Sequence, residues 1–196
     1  MVWPQPQKQT LLERRGYLAP SLSDFSFVAD GAAAADSKAL AAAFTRYAGV
    51  VFQHAPTATI QWAGRCDAAP CPPPPPPPDR SLVCKALNVR VASAAESLAH
   101  NTSEKYELTV GFPNSTLTAD TVYGAMRGLE TFSQLVQADY SLREQTIEDF
   151  PRFPFRAVLI DTGRHFLPLP LLLAHLDAMA YNKMNVLHWH IVDMPR

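Results

Sequence analysis

The sequence lacks an excess of charge of either sign: 17 Lys and Arg stand against 18 Asp and Glu, a formal net charge of −1 over 196 residues. With neither a basic stripe nor a block of like charge, nothing recommends nucleic acid or an anionic membrane as a partner, and small or neutral ligands fit better. Also missing is any run of ~20 apolar residues of the kind that spans a bilayer. The most apolar window, Phe166 to Leu173, is short and holds Pro168 and Pro170. The start, Met1-Val2-Trp3-Pro4-Gln5-Pro6, has neither the basic beginning nor the apolar stretch of a secretory signal, so no signal peptide is expected in this chain. Cysteine is scarce as well. Cys66, Cys71 and Cys84 allow at most one disulfide, with a bridge from Cys66 or Cys71 to Cys84 open, and leave one thiol over.

What is present is an ordinary globular composition, 47% hydrophobic and 10% aromatic. Two glycosylation sequons, Asn101-Thr102-Ser103 and Asn114-Ser115-Thr116, each beside an expected surface turn, point toward a secretory route, although three-residue patterns also arise by chance.

Along the chain, residues 1–24 are spotted with proline and carry the basic cluster Lys8, Arg14 and Arg15, which reads as an irregular lead-in. Phe25 to Val28 alternates like a strand, and Asp36 or Ser37 caps a helix through about Tyr47, with Leu40, Phe44 and Tyr47 on one stripe. A Pro-rich loop at 70–79 contains seven consecutive prolines, Pro72 to Pro78, which must be extended polyproline II. It reads either as an elongated surface loop or as a docking site for a proline-recognising module, the latter making the chain a non-catalytic interaction protein. Leu82 to Val91 and Tyr106 to Val110 read as strands that pair antiparallel across the Asn101 loop. A second helix is expected from Thr118, with Asp120 in its first turn and Val122, Met126, Leu129, Phe132, Leu135 and Val136 on its buried stripe.

These elements predict an α+β layer domain over residues 1–150, closed by a joint at Phe150-Pro151-Arg152-Phe153-Pro154-Phe155. Residues 151–196 change pattern: strand Arg156–Asp161, helix Pro170–Tyr181, strand Val186–Val192, a βαβ unit. Parallel strands are normally covered on both faces, and two strands with one helix cannot supply that cover, so the sequence reads as a fragment.

Functional groups of such sheets sit just beyond the carboxyl ends of the strands. Two places qualify, Asp161-Thr162-Gly163-Arg164-His165 and Asp193. Arginine offers a fixed fork of donors for paired hydroxyls, and an aspartate orients a histidine or holds a hydroxyl; an ion pair closing the rim is the plainer alternative. His188 and His190 point to one face of their strand, which makes zinc a rival, though a pair set two residues before the strand's end lies within the wall and has no further ligands.

The segments Trp3-Pro4-Gln5-Pro6, Ala43-Phe44-Thr45-Arg46-Tyr47, Gly124 to Leu135 (GAMRGLETFSQL), Leu159 to Pro168 (LIDTGRHFLP) and Leu176 to Asp193 (LDAMAYNKMNVLHWHIVD) together resemble the β-N-acetylhexosaminidases of glycoside hydrolase family 20 in order and spacing. The resemblance implies an α+β amino-terminal domain followed by the first βαβ unit of a truncated (β/α)8 TIM barrel. It implies removal of terminal β-linked N-acetylglucosamine or N-acetylgalactosamine from glycoconjugates by substrate-assisted retaining catalysis, without a cofactor or metal. In that scheme the sugar's 2-acetamido oxygen attacks the anomeric carbon, a glutamic acid protonates the leaving oxygen and a neighbouring aspartate steadies the acetamido group. No residue here matches that Asp-Glu pair, so the chain alone is expected to be inactive. Arg164 resembles the arginine that binds hydroxyls of the terminal sugar. Asp193 resembles the aspartate that acts on the general acid through a histidine, and Asp161 and His165 are loop-shaping residues. Gly163 replaces a common serine and Met194 a frequent second acid. Lysosome, vacuole or secretion, and dimerisation through the barrel, are expected only of a full-length form.

Overall fold

The computed structural model describes residues 2–19, 23–52 and 79–192. In chain order the elements are β1 (Lys8–Leu18), β2 (Ser26–Ala29), α1 (Ala32–Ala35), α2 (Lys38–Val51), β3 (Val83–Cys84), β4 (Ala86–Ser93), β5 (Tyr106–Val110), β6 (Asn114–Thr121), α3 (Val122–Leu135), β7 (Ser141–Asp149), β8 (Ala157–Asp161), α4 (Leu169–Tyr181) and β9 (Val186–His190). Strands β1 to β7 form one mixed sheet in the order β2-β4-β6-β5-β7-β1-β3, and β8 and β9 form a separate parallel pair. The larger sheet with its helices is the α+β arrangement read from the sequence.

Period-two patterning puts Tyr106, Leu108 and Val110 of β5 and Ser115, Leu117 and Ala119 of β6 on one buried face. Helix α3 covers that face with Ala125, Leu129 and Phe132, and α2 adds Leu40, Ala43 and Tyr47. The closeness of α3 depends on glycine. A Cβ on Gly128 would stand 2.2 Å from a Leu117 methyl, and one on Gly124 would stand 2.4 Å from the Lys105 carbonyl oxygen. A helical glycine costs about 1 kcal/mol relative to alanine, and here the close packing of helix on sheet offsets it. Ser37 caps α2 by accepting from the Leu40 N–H (3.1 Å), as the sequence indicated.

Four expectations are corrected. The stretch taken as an irregular lead-in contains β1, whose residues 8–15 are all exposed because the strand leans on β7 near the sheet edge; its polar pattern hid it. Leu82–Val91 is divided into a 3-10 turn, β3 and β4, and β4 pairs in parallel with β2 and β6, while β5 is the strand that pairs antiparallel with β6 and β7. The tight Gly111–Asn114 link joins β5 to β6, so β6 occupies the place next to β4. The helix expected from Thr118 begins at Val122, with Asp120 on β6 and Thr121 as the cap, its hydroxyl accepting from the Gly124 N–H (3.1 Å). Cys84 is a free buried thiol hydrogen-bonded with the Ser115 hydroxyl (3.2 Å) rather than half of a bridge, and burial raises its pKa. Cys66, Cys71 and Pro72–Pro78 lie outside the described residues.

Strands β8 and β9 align from Ala157 opposite Val186 to Asp161 opposite His190, with α4 between them in sequence. Two buried carboxylates tie this pair to the larger sheet. Glu104 accepts from Arg127 Nε (2.8 Å), from Asn185 Nδ2 (2.9 Å) and from Arg156. Arg156 and Asn185 stand immediately before β8 and β9, so one carboxylate anchors the starts of both strands. Asp149 accepts from the Tyr106 hydroxyl (2.8 Å) and from Lys183 Nζ (3.1 Å). Lys183 has φ 54°, a left-handed backbone, and its ammonium is buried by this ion pair.

Candidate functional site

The parallel register brings the carboxyl ends of β8 and β9 side by side. The chain leaves β8 at Asp161 through a turn, and side chains stitch that turn to the neighbouring strand. The Thr162 N–H donates to the His190 carbonyl (2.9 Å), and Trp189 Nε1 donates to the Thr162 hydroxyl oxygen (2.9 Å). Asp161 then closes the turn on itself: its carboxylate accepts from the Arg164 N–H (3.1 Å) and from the Arg164 guanidinium, and lies 3.4 Å from His190 Nδ1. Arg164 is therefore aimed by its own loop.

Desolvation works to raise the Asp161 pKa, but the side-chain and backbone hydrogen bonds from Arg164, with the charges of Arg164 and His190, outweigh it and hold the carboxyl below its usual range. At mildly acidic pH the pair is thus an ionised carboxylate and a guanidinium that does not titrate. The Arg164 side chain is 63% exposed while that of Asp161 is 20% exposed. A planar cation with five N–H donors, oriented by its own loop, suits vicinal hydroxyls better than it suits bond-making chemistry.

Of the residues singled out by sequence, the structure brings Asp161 and Arg164 into direct contact and leaves His165 exposed beside them. Asp193 lies outside the described residues. His188 and His190 share a strand face, with His188 exposed. His190 is the last residue of β9 rather than a wall residue, because the strand ends two residues earlier than its apolar pattern indicated. No group of three His, Cys, Asp or Glu side chains capable of holding a metal occurs among the described residues. Asn101 sits in an exposed turn and Asn114 opens β6, also exposed.

Sequence reasoning missed Trp189 and Thr162 as the pair that holds the loop, and it missed the junction residues Glu104, Arg127, Arg156, Asn185, Asp149 and Lys183. The contacts span 23 to 81 positions, which no local pattern reveals. A signal existed for one of them: Lys183 follows an apolar helix at a point where a charge is rarely placed without a partner. Desolvation tends to raise the Glu104 pKa, but Arg127, Asn185 and Arg156 together bring it below the usual value. Burial lowers that of Lys183 against the pull of Asp149.

Comparison with known proteins gives this geometry a family. Residues 2–135 match the model described as beta-acetyl hexosaminidase like, and residues 153–195 match the model of the glycosyl hydrolase family 20 catalytic domain. Among relatives, the mouse beta-hexosaminidase subunit alpha is 38% identical over 98% of this chain and 35% of its own length. The pig subunit beta is 53% identical over 55% of this chain and 21% of its own. A chitobiase of Flavobacterium johnsoniae superposes with TM-score 0.74 at 26% identity, covering 98% of this chain and 27% of that one. A Streptomyces coelicolor beta-N-acetylhexosaminidase shares the fold, with TM-score 0.65 at 21% identity over 96% of this chain and 34% of that one. The chain spans about a third of the length of the curated relatives it matches. One family model thus runs through most of the larger sheet and its helices and the other takes in both rim strands, and the chain belongs to glycoside hydrolase family 20, the β-N-acetylhexosaminidase family.

Proposed function

We propose that this chain supplies the amino-terminal domain and the first strand, helix and second strand of a (β/α)8 barrel, with the division near residue 150. In this reading the complete barrel removes terminal β-linked N-acetylglucosamine or N-acetylgalactosamine from glycoconjugates, by substrate-assisted catalysis with retention. The observation that carries the reading is the braced Arg164 at the carboxyl end of β8, on the side of a parallel sheet where barrel enzymes place their substrate contacts. Arg164 binds hydroxyls of the terminal sugar, Asp161 fixes its direction, and Asp193 acts on the general acid through a histidine. The acetamido oxygen is the nucleophile, so the protein's part at this rim is to hold the ring while charge develops at the anomeric carbon. None of the 196 residues matches the family's Asp-Glu pair, and this chain by itself is without hydrolytic activity. Routing to a lysosome or vacuole, or secretion, of the full-length form belongs to the same reading.

The test is substitution of Arg164 in a form carrying the complete barrel. Losing a charged donor to sugar hydroxyls removes roughly 1.5–3 kcal/mol, so R164A lowers kcat/KM about 10- to 200-fold, and R164K recovers little because an ammonium lacks the planar fork. Unchanged kinetics in R164A would remove Arg164 from the site and the reading with it.

A further inference from the structure

The larger sheet has one face under helices and one face without cover among the described residues, and apart from Val28 at the end of its central row, opposite Asn88, that row of the open face is of short polar side chains in register. Asn88 stands opposite Thr116, Thr116 opposite Thr109, Thr109 opposite Thr146 and Thr146 opposite Thr10. At about 4.8 Å per strand this row crosses the sheet over roughly 19 Å. Beside it runs a charged row, Arg90, Thr118, Glu107, Glu148 and Lys8, closed at one end by the Lys8–Glu148 pair at 2.9 Å. The face is flat and wettable, unlike a protein-binding patch with an apolar centre.

Asn114, at the head of β6, lies on this same open side, two residues before Thr116 in a strand whose alternate residues Ser115 and Leu117 are buried. Both reactive side chains of the Asn114-Ser115-Thr116 sequon therefore face outward together. Among the described residues neither the Asn114 amide nor the Thr116 hydroxyl has a hydrogen-bond partner. The other sequon is placed differently: the Ser103 hydroxyl donates to Asp120 (2.9 Å) and the Thr102 hydroxyl oxygen accepts from the Ala99 N–H (2.8 Å), so both hydroxyls serve the turn.

We propose that Asn114 carries an N-linked oligosaccharide whose first sugars lie across the Asn88-Thr116-Thr109 part of the open face and act as its cover. Threonine offers a methyl and a hydroxyl at each step, matching the mixed apolar and hydroxylated surface of a sugar ring. The attachment joins the Asn114 amide nitrogen to the anomeric carbon of a polyisoprenyl-pyrophosphate-linked oligosaccharide. The bond from that carbon to the pyrophosphate oxygen breaks, the pyrophosphate departs with the electron pair, and the amide gives up one proton. The inference rests on the secretory routing proposed above.

The experiment is to express the full-length form in eukaryotic cells, recover it from the secretory route, release glycans with an amidase in heavy-oxygen water and read each sequon by peptide mass spectrometry. The expected result is the Asn-to-Asp mass mark on the Asn114 peptide, lost in both N114Q and T116A and kept in N101Q. Proton contacts between the first sugar and the Thr116 or Thr109 methyls are expected in the glycosylated protein. A bare Asn114 in protein that carries a glycan on Asn101 would overturn the proposal while leaving the routing intact. Protein found only in the cytosol would sink the routing and the proposal together. An occupied Asn114 whose sugar touches none of these threonines would overturn the covering role.

Discussion

Helices α3 and α4 are close in length and meet opposite fates. In α3 the residues Leu129 and Phe132 are fully buried against the large sheet, and even the polar Glu130 and Thr131 are buried, the Thr131 hydroxyl hydrogen-bonded with that of Tyr106 on β5. In α4, with the sequence LPLLLAHLDAMAY, no residue is buried: Leu169 is 64% exposed and Leu173 52%. Ahead of it Phe166 is 86% exposed, and Trp189 and Ile191 are also exposed. A helix that is apolar nearly all round belongs in the interior of something larger. The comparison teaches that the first region buries its apolar surface within its own sheet and helices, whereas the second leaves much of its apolar surface exposed.

The largest expected effect follows from dividing the two regions. A chain ending at residue 150 keeps the core of the large sheet and is expected to be monomeric, while the 196-residue chain self-associates through the open faces of α4, β8 and β9. Light scattering at matched concentrations checks this, and equal behaviour of the two would erase the contrast. The same contrast holds at single positions. Leu129→Ala is expected to cost about 4 kcal/mol in chemical unfolding because it leaves a cavity under the sheet. Leu173→Ala in α4 is expected to cost less than about 0.5 kcal/mol and to raise solubility, since it removes exposed apolar surface. A large loss at Leu173 would mean that α4 is already packed.

The junction gives a smaller, pH-dependent effect. The Glu104 carboxyl titrates below its unfolded value, so its contribution is fully present above the unfolded pKa of about 4.5 and is lost as pH falls through the lower folded pKa. Glu104→Ala leaves Arg127 and Arg156 without their shared partner and is expected to cost about 3 kcal/mol at pH 6. Glu104→Gln should flatten the loss of melting temperature between pH 5 and pH 3 relative to the parent. If parent and E104Q melt in parallel across that range, the junction is held by other contacts.

How much of this was legible in the residues depended on whether the signal was local. Helix α2 with its Ser37 cap, β5 with its alternation, and the β8-α4-β9 unit could all be read, because period and cap lie within a few residues. Strand β1 could not: Lys8 to Arg15 shows no apolar face, since the strand is stabilised by pairing with β7 some 130 residues away. The boundary between β6 and α3 was misplaced because Asp120 looks like a first-turn acid, although Ser115, Leu117 and Ala119 already kept a strand period. Sheet order followed from which strands sit beside which, a property that two-residue periodicity does not encode. At the rim, Arg164 was legible from its position after a strand and from its motif. Its bracing by Asp161 was legible only as proximity, and the Trp189 to Thr162 link was not legible at all.

The most direct test of the account is hydrolysis of a chromogenic β-N-acetylglucosaminide near pH 4 to 6 by the 196-residue chain, beside the same sequence carrying a complete family 20 barrel. The account predicts turnover only in the longer form, with R164A impaired there. Turnover by the 196-residue chain itself would contradict it, by placing the catalytic groups among these residues.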